Sequence, residues 1–366
     1  MFKNLTIFVK LFSTVAFLLV TMVGISAAQV TPFPLLEQQL GRHLYFDKHL
    51  SNPVGQACAS CHLPTAGFAD PDQNLPVSEG VIPGRFGGRN SPSSAYAAFS
   101  PAFGLNPVTG LYVGGQFWDG RAATLEEQAK GPFLNPVEMN NTKEGVINSV
   151  RNSPYAWLFK IVYGFNSLDT VDTAYDLVAQ AIASFERTHQ LNRFTSKYDY
   201  YLKGKANLTA TEKRGLDLFN GKGKCAACHP STSIDGVTPP MFSDFTYDNL
   251  GAPRNMEFPF YSMVPSPYPD LGLGITVNDP KQNGKFKVMS LRNIALTAPY
   301  SHNGYFKSLK EIVHFYNTRD IPGLWPAPDV PENVNRVELG NLGLTAGEED
   351  DIVAFMMTLS DGYFRK

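Results

Sequence analysis

All four cysteines of the chain occur in two copies of one short pattern, Cys-x-x-Cys followed at once by His. Two thiols three residues apart share one face of a helical turn, so both can reach the two vinyl groups of one porphyrin. The imidazole that follows then points at the iron as its axial ligand. The pattern predicts two covalently attached c-type haems. The residues involved are Cys58, Cys61 and His62 in the first copy and Cys225, Cys228 and His229 in the second.

Two other uses of paired cysteines compete with this interpretation. A Cys-x-x-Cys redox motif needs no histidine and accompanies a βαβ pattern, of which the sequence gives no sign. A zinc site would require both pairs to converge on one metal and would leave the histidines optional. Only 7 His occur among 366 residues, so a His directly after both pairs favours haem attachment.

The composition is that of a folded globular protein, with 43% hydrophobic and 17% charged residues. A chain of 366 residues is long enough for two domains, each with a core of its own. The net charge of -2 indicates no general affinity for nucleic acid. We therefore expect a globular protein that does not bind nucleic acid.

Residues 1–28 have the pattern of a secretory signal peptide. Two lysines in MFKNLTIFVK precede the apolar run LFSTVAFLLVTMVGI, and the small residues of SAAQ follow, which predicts cleavage after Ala28. An uncleaved membrane anchor is the alternative, but the apolar run is short for a span. No other stretch could cross a bilayer, so we predict a periplasmic protein without a membrane span after cleavage.

The segments that precede the two haem motifs resemble each other loosely. LEQQLGRHLYFDKHLS precedes the first motif and LTATEKRGLDLFNGKGK precedes the second, and each predicts a short amphipathic helix followed by a loop. The second helix begins with a capping-box pattern, Thr209 with Glu212. Strand signals are few. The sequence therefore predicts a mainly α fold of two tandem cytochrome c-like domains, residues 29–200 and 201–366, each with one covalent haem.

Three further stretches complete this prediction. The pattern of TAYDLVAQAIASFERTHQL predicts a long helix, and TAGEEDDIVAFMMTLSDG predicts a last helix with acidic residues in its first turn. NRFTSKYDYYLKGKAN is polar and turn-forming, which places the domain boundary near residue 200. Leu309, Ile312, Val313 and Tyr316 recur at helical spacing, so we expect Tyr316 to point inward and His314 to point elsewhere.

The sequence between and after the haem motifs resembles the bacterial di-haem cytochrome c peroxidase and MauG family, and the resemblance covers nearly the whole mature chain. The segments that carry the resemblance are FGGRNSPSSAYAAFSPAFG, GGQFWDGRAATLEEQAKGPFLNPVEMN and LRNIALTAPYSHNGYF. The resemblance implies that Trp118 lies between the two haems. It also implies a peroxide pocket with Gln128 and Glu138, ten residues apart with Pro132 between them. From the residues alone, without the resemblance, we would interpret Trp118 as a packing residue of the core and Glu138 as a solvated carboxylate.

Two nearby carboxylates serve as a contrast to Glu138. We expect Glu126 and Glu127 to be exposed on a helix that begins near Thr124. The resemblance also implies a calcium ion between the domains. Its ligands would be Asn90 and the backbone carbonyls of Thr297 and Pro299, which suit an oxygen-seeking cation.

The resemblance further concerns the sixth ligand of the second iron. Peroxidase-type members place a Met there and MauG-type members a Tyr, and the matching position here is Tyr316, with His302 and Met289 as rivals. Many peroxidase-type members carry a blocking His sixteen residues after the first axial His, where this chain has Ser78. The first iron is therefore expected to be open at rest.

The resemblance implies an enzyme that reduces hydrogen peroxide to water. Glu138 would act as acid and base, Gln128 would fix the peroxide, and Trp118 would couple the haems. The electrons would come from a small redox protein, such as a cytochrome c or a cupredoxin, or from side chains of a partner protein. The alternative is a non-catalytic di-haem electron carrier, which would cap both irons and need no such carboxylate.

Overall fold

Short helices joined by long ordered loops make up most of the fold. The computed structural model describes residues 32–257, 259 and 269–365, so the predicted signal peptide, residues 1–28, lies outside the described residues. Up to residue 195 the helices are α1 (Pro34–Phe46), α2 (Cys58–Cys61), α3 (Leu125–Leu134), α4 (Lys143–Arg151), α5 (Ala156–Tyr163) and α6 (Val171–Glu186).

The other helices of the described residues follow residue 195, and 3₁₀ turns such as Cys225–Ala227 lie between them. They are α7 (Lys197–Leu202), α8 (Ala210–Asn220), α9 (Leu273–Val277), α10 (Leu309–Thr318) and α11 (Ala346–Met357).

The described strands are two residues long and form two antiparallel pairs. In the first pair Gly104 lies opposite Val113, and in the second Tyr247 lies opposite Lys287. The strands are β1 (Gly104–Leu105), β2 (Tyr112–Val113), β3 (Tyr247–Asp248) and β4 (Phe286–Lys287). The prediction of a mainly α fold is confirmed.

Residues Thr31–Lys366 form one compact unit with two hydrophobic cores. The first core is built by residues between Leu40 and Leu191, together with Met241. The second is built by residues between Tyr198 and Leu359. The change from one core to the other thus falls close to residue 200, where the sequence predicts a domain boundary. We call the two parts of the chain the first half and the second half.

Each half contains a helix pair that meets at a glycine. A Cβ on Gly41 of α1 would lie 1.8 Å from the carbonyl oxygen of Ala181 on α6, and a Cβ on Gly215 of α8 would lie 1.9 Å from that of Asp351 on α11. A side chain at either place would push backbone against backbone. The two glycines therefore allow the close crossing that positions the haem motif after each first helix.

The local predictions are mostly confirmed. α6 and α11 lie on the two predicted helical stretches, although α6 ends at Glu186 and not at Leu191, and Thr209 forms the capping box with Glu212 at the start of α8. The turn-forming interpretation of residues 192–207 is wrong in part, because α7 lies inside that stretch. Ser196 caps α7 by accepting from the amide of Asp199, whose carboxylate accepts from the amide of Ser196 in return.

Within the described residues, no helix combines the length and the apolar character that a bilayer span requires.

Candidate active site

The residues of the first haem motif line a cavity of about 520 Å³, which we call the first cavity. This volume is in the usual range for a pocket that holds a small molecule or cofactor. The cavity is shared by the motif and by residues that the sequence singled out from far along the chain. They are Cys58, Cys61, His62, Ser78, Trp118, Gln128, Pro132 and Glu138.

A second cavity is lined by the residues of the second motif. Its lining also contains the candidate sixth ligand and both of its rivals. Since each cysteine pair lies in a cavity of its own, the pairs do not converge on a shared zinc ion. The residues in question are Cys225, Cys228, His229, Met289, His302 and Tyr316.

Each motif histidine is held by a backbone carbonyl. The Nδ1 atom of His62 lies 3.3 Å from the oxygen of Phe68, and that of His229 lies 2.7 Å from the oxygen of Phe242. Both phenylalanines have a positive φ, of 61° and 53°, which is unusual for a bulky residue. Binding of Nδ1–H to a carbonyl leaves Nε2 as the metal-binding nitrogen. The donor set therefore fits a c-type haem in each cavity.

Glu138 follows α3 in a tight turn. Its amide donates to the Asn135 carbonyl at 3.0 Å, and the Asn135 side-chain amide donates to its Oε1 atom at 2.8 Å. Burial raises the pKa of Glu138 above its usual value, while the hydrogen bond from Asn135 and the charge of Arg121 oppose that shift. A buried carboxyl with a raised pKa, in one cavity with the motif histidine, has the character of an acid–base group.

Gln128 and Pro132 lie four residues apart on α3, so they share the helix face that lines the first cavity. The helix begins after Thr124, as predicted, since the Thr124 hydroxyl accepts from the amide of Glu127 at 3.4 Å. Glu127 is exposed, as expected. The expectation for Glu126 is wrong: it is half-buried and pairs with Arg187 at 2.7 Å.

Trp118 lines both cavities. Its Nε1 atom donates to the carbonyl oxygen of Asn90 at 2.8 Å. Its ring meets the ring of His302 edge-on with centroids 6.5 Å apart, and His302 stacks on Phe286 at 3.6 Å. An aromatic side chain in a fixed orientation thus bridges the space between the two haem motifs.

An ion-pair network supports this bridge, and sequence reasoning missed it. Arg89 lies 2.6 Å from Asp119, the residue after Trp118, and its Nε atom donates to Asp270 at 2.7 Å. The sequence did contain a signal for two members of the network. Arg89 stands next to Asn90 in GGRN, and Asp119 stands next to Trp118 in FWDGR. The partner Asp270 could not be found, since it lies 181 residues from Arg89.

Tyr316 faces the second cavity from α10. Burial raises the pKa of its phenol, and the charges of Cys228 and Cys225 add to the shift, which places the phenol close to the motif. Helix α10 is buried on more than the one predicted face, because Phe315 is also fully buried in the second core. His314 points elsewhere, as predicted, and its Nδ1 atom lies 2.9 Å from Glu349.

The three residues predicted to bind calcium lie together in the lining of the second cavity: Asn90, Thr297 and Pro299. They present neutral oxygens only. Among the described residues, no group of three or more His, Cys, Asp or Glu is arranged to hold a metal ion.

The loop that contains Ser78 is tied to the rest of the fold. The Ser78 hydroxyl donates to Asp70, and the Gln73 side-chain amide donates to the carbonyl of Leu296 at 2.9 Å. Gly304 approaches Pro76 so closely that a Cβ would lie 2.4 Å from its carbonyl oxygen. These contacts fix Ser78, with its small hydroxyl, at the edge of the first cavity.

Comparison with known proteins extends these observations. Residues 37–207 match the family described as di-haem cytochrome c peroxidase. The chain is 36% identical to the methylamine utilization protein MauG of Paracoccus denitrificans, over 92% of this chain and 91% of that protein. It is 35% identical to the cytochrome c551 peroxidase of Pseudomonas aeruginosa, over 82% and 78%.

The chain belongs to the di-haem cytochrome c peroxidase family. The structure agrees, since the diheme peroxidase BthA from Burkholderia thailandensis superposes with a TM-score of 0.81 at 31% identity, over 89% of this chain and 86% of that one. The protein is therefore an oxidoreductase of the di-haem peroxidase type, and the alternative of a non-catalytic electron carrier is not supported.

Proposed function

We propose that the first cavity is the place where hydrogen peroxide is reduced to water, with electrons that arrive from an external donor through the second cavity. The observation that carries this proposal is the joint presence of His62, Gln128 and Glu138 in one cavity. A metal-binding imidazole and an acid–base carboxylate in one enclosed space are what peroxide cleavage requires. A pure electron carrier has no use for them.

The first cavity would hold one haem through thioether bonds to Cys58 and Cys61, and His62 would bind its iron. When bound, its iron supplies the redox chemistry that cleaves the O–O bond. Glu138 accepts the proton of the inner peroxide oxygen and returns it to the outer oxygen, which leaves as water. Gln128 orients the peroxide by hydrogen bonding. The overall reaction takes up two electrons and two protons for each peroxide and yields two water molecules.

Ser78 bears on the resting state of the enzyme. It occupies the place of the blocking histidine of peroxidase-type relatives, and a serine hydroxyl that is bound to Asp70 cannot reach an iron. We infer that peroxide reaches the first iron without prior reduction of the second.

The second cavity would hold the second haem, attached to Cys225 and Cys228, and His229 and Tyr316 would bind its iron. Of the rivals, His302 is engaged between Trp118 and Phe286, and Met289 has only its place in the lining to favour it. A phenolate ligand donates charge, which would favour oxidised states of this site. Trp118 would carry electrons between the two haems.

The further partners remain those that the sequence predicts. The donor is a small redox protein or an oxidisable side chain of a partner protein. One calcium ion at Asn90, Thr297 and Pro299 would fix the wall beside Trp118, since the Asn90 carbonyl accepts from the Trp118 ring. The N-terminal pattern supports a periplasmic location, where c-type haem would be attached to the chain after export.

Peroxide turnover by the purified holoprotein, with and without a reduced cytochrome c, tests the proposal. We expect donor-dependent consumption and a high-spin ferric signal from the first haem. A resting spectrum that is entirely low-spin, together with no peroxide consumption, would contradict it. A pyridine haemochrome assay on denatured protein should give two haems per chain, and loss of haem to acid–acetone would refute covalent attachment.

A further inference from the structure

A second buried carboxyl group lines the first cavity. Glu186 is the last residue of α6 and lies one turn after Ile182, which shares its cavity face. Only 5% of Glu186 is exposed. Its Oε2 atom is buried and has no hydrogen-bond partner among the described residues. An ionised carboxylate in that position would be costly, so the group is held in its neutral form.

The charged groups around Glu186 do not change this conclusion. Burial raises the pKa of Glu186 to about 8, the charge of Arg187 opposes the shift, and that of Glu126 adds to it. Arg187 is itself engaged by Glu126 at 2.7 Å. From α1 and α2, Glu186 is faced by the neutral Tyr45 and Cys58. Glu186 therefore carries a proton at neutral pH.

The other acids of this cavity are committed elsewhere. Its lining contains four carboxyl groups among the described residues. Two of them, Asp119 and Asp270, are ion-paired with Arg89. The third is Glu138, which shuttles the peroxide proton in the proposed reaction. Glu186 remains as the one acid of the lining that is neutral and has no assigned task.

Glu138 and Glu186 both line the first cavity near one haem attachment site. The charge of each would raise the pKa of the Cys58 thiol, so both are close to that sulfur. The reduction of peroxide consumes two protons, and Glu138 alone only relocates a proton that peroxide brings. The cavity must therefore receive protons from a further source.

We propose that Glu186 is this source: it stores a proton inside the first cavity and delivers it to Glu138 during turnover. The O–H bond of the Glu186 carboxyl breaks, a new O–H bond forms on the Glu138 carboxylate, and solvent later reprotonates Glu186. The electrons come from the external donor, so the inference rests on the proposed function. Glu186 acts through Glu138 and does not touch peroxide.

The test compares holoenzyme variants Glu186→Gln and Glu126→Gln. Glutamine keeps the shape of the side chain but cannot release a proton, and Glu126 is a matched control because it lies next to this site but outside the cavity lining. We expect Glu186→Gln to lower kcat at pH 7 by about 10-fold, less than the loss of a direct acid–base group, with KM for peroxide unchanged. The fall of kcat in wild type as pH rises through about 8 should vanish. Glu126→Gln should leave KM unchanged and keep the fall of kcat with pH, moved only to somewhat lower pH because the charge of Glu126 helps to raise the pKa of Glu186.

An independent readout is the infrared carbonyl band of a protonated carboxylic acid in the resting holoprotein. We expect this band at pH 7, shifted in heavy water, weakened above pH 8 and lost in Glu186→Gln. Absence of the band from the wild-type protein would overturn the inference, and so would a normal kcat and pH profile in Glu186→Gln. In either case peroxide turnover would still support the proposed function. Wild-type protein that fails to consume peroxide would instead remove the proposed function, and this inference with it.

Discussion

The two halves of the molecule hold their haem motifs in the same way but line the two cavities with different groups. We call the close helix pair and the carbonyl that holds the motif histidine the support. In each half a glycine lets two helices cross closely, the haem motif follows, and a phenylalanine carbonyl holds the motif histidine. The other lining residues of the two cavities differ. Glu138 and Gln128 line the first cavity, whereas Tyr316 projects into the second from α10. If the proposed function holds, the comparison teaches that the shared support would fix the metal-binding histidine, and that the other lining residues would decide between peroxide chemistry and electron storage.

The largest expected effect comes from the wall of the first cavity. Glu138→Gln keeps the size and hydrogen bonding of the side chain but removes its exchangeable proton. We expect peroxide turnover to fall by about 10²–10⁴-fold, with unchanged haem spectra because no iron ligand is altered. Stopped-flow kinetics and optical spectra measure both.

Glu127→Gln is the matched control, since Glu127 lies on the same helix but is exposed. Near wild-type turnover in Glu138→Gln would remove the catalytic assignment and, with it, the contrast between the two walls.

The second expected effect concerns the wall of the second cavity. Tyr316→Phe removes the phenol oxygen and should leave the second iron five-coordinate, so that its low-spin signal becomes high-spin. Tyr316→Met should restore a low-spin iron with a higher reduction potential, since a thioether donates less charge than a phenolate. Electron paramagnetic resonance and redox titration report these changes.

Tyr300→Phe controls for the loss of a hydroxyl, because Tyr300 lines the same cavity but donates to the Ile294 carbonyl at 3.0 Å. If Tyr316→Phe leaves the spectrum as it was, another residue is the ligand, and His302 is the next to replace.

A third pair of substitutions tests the shared support. Gly41→Ala and Gly215→Ala each place a methyl group against a backbone carbonyl. We expect each to lower the free energy of unfolding by about 1–3 kcal/mol, the usual cost of overpacking. Thermal unfolding followed by circular dichroism gives the values. Gly347→Ala in α11 is the control, because nothing lies within 4 Å of its Cβ position.

Similar losses of unfolding free energy in Gly41→Ala and Gly215→Ala would indicate that the two halves use equivalent helix pairs. A tolerated alanine at one position only would show that the two helix pairs are not equivalent.

The smallest effect on turnover is expected for the group that joins the halves. Trp118→Phe should leave peroxide binding at the first haem intact but slow electron transfer to or from the second. Rapid mixing, followed at wavelengths that separate the two haems, tests this. Thermal stability must be measured beside it, because a half-buried tryptophan that is made smaller loses packing contacts.

Trp157→Phe is the control, since Trp157 is exposed on α5. Equal impairment of both haems in Trp118→Phe, in step with lost stability, would reduce Trp118 to a packing residue.

Local signals explain why the helices could be predicted. The haem motifs, the amphipathic segments before them and the Thr209 capping box depend on neighbours within a few residues. The spacing of Leu309, Val313 and Tyr316 likewise identified α10 as a helix, but it did not reveal that Phe315 is buried on another side. Periodicity predicts a helix face well only when a single face is covered.

Long-range partners explain what the sequence could not reveal. Asp270 reaches Arg89 across 181 positions, and Gln73 reaches Leu296 across 223. Glu186 ends a helix that sequence reasoning treated as core, and only its burial without a partner for Oε2 marks it as unusual. Such features depend on how loops meet, which no spacing within one element encodes.

The carbonyl groups of Phe68 and Phe242 have a consequence for how the protein tolerates mutation. Each contributes to its site through the main chain, so a substitution that changes only its side chain leaves the acceptor in place. What must be preserved is the positive φ, which asparagine and glycine adopt more readily than phenylalanine does. Both side chains are buried in the hydrophobic cores, so a substitution there would cost packing, while the carbonyl that orients each imidazole would stay in place.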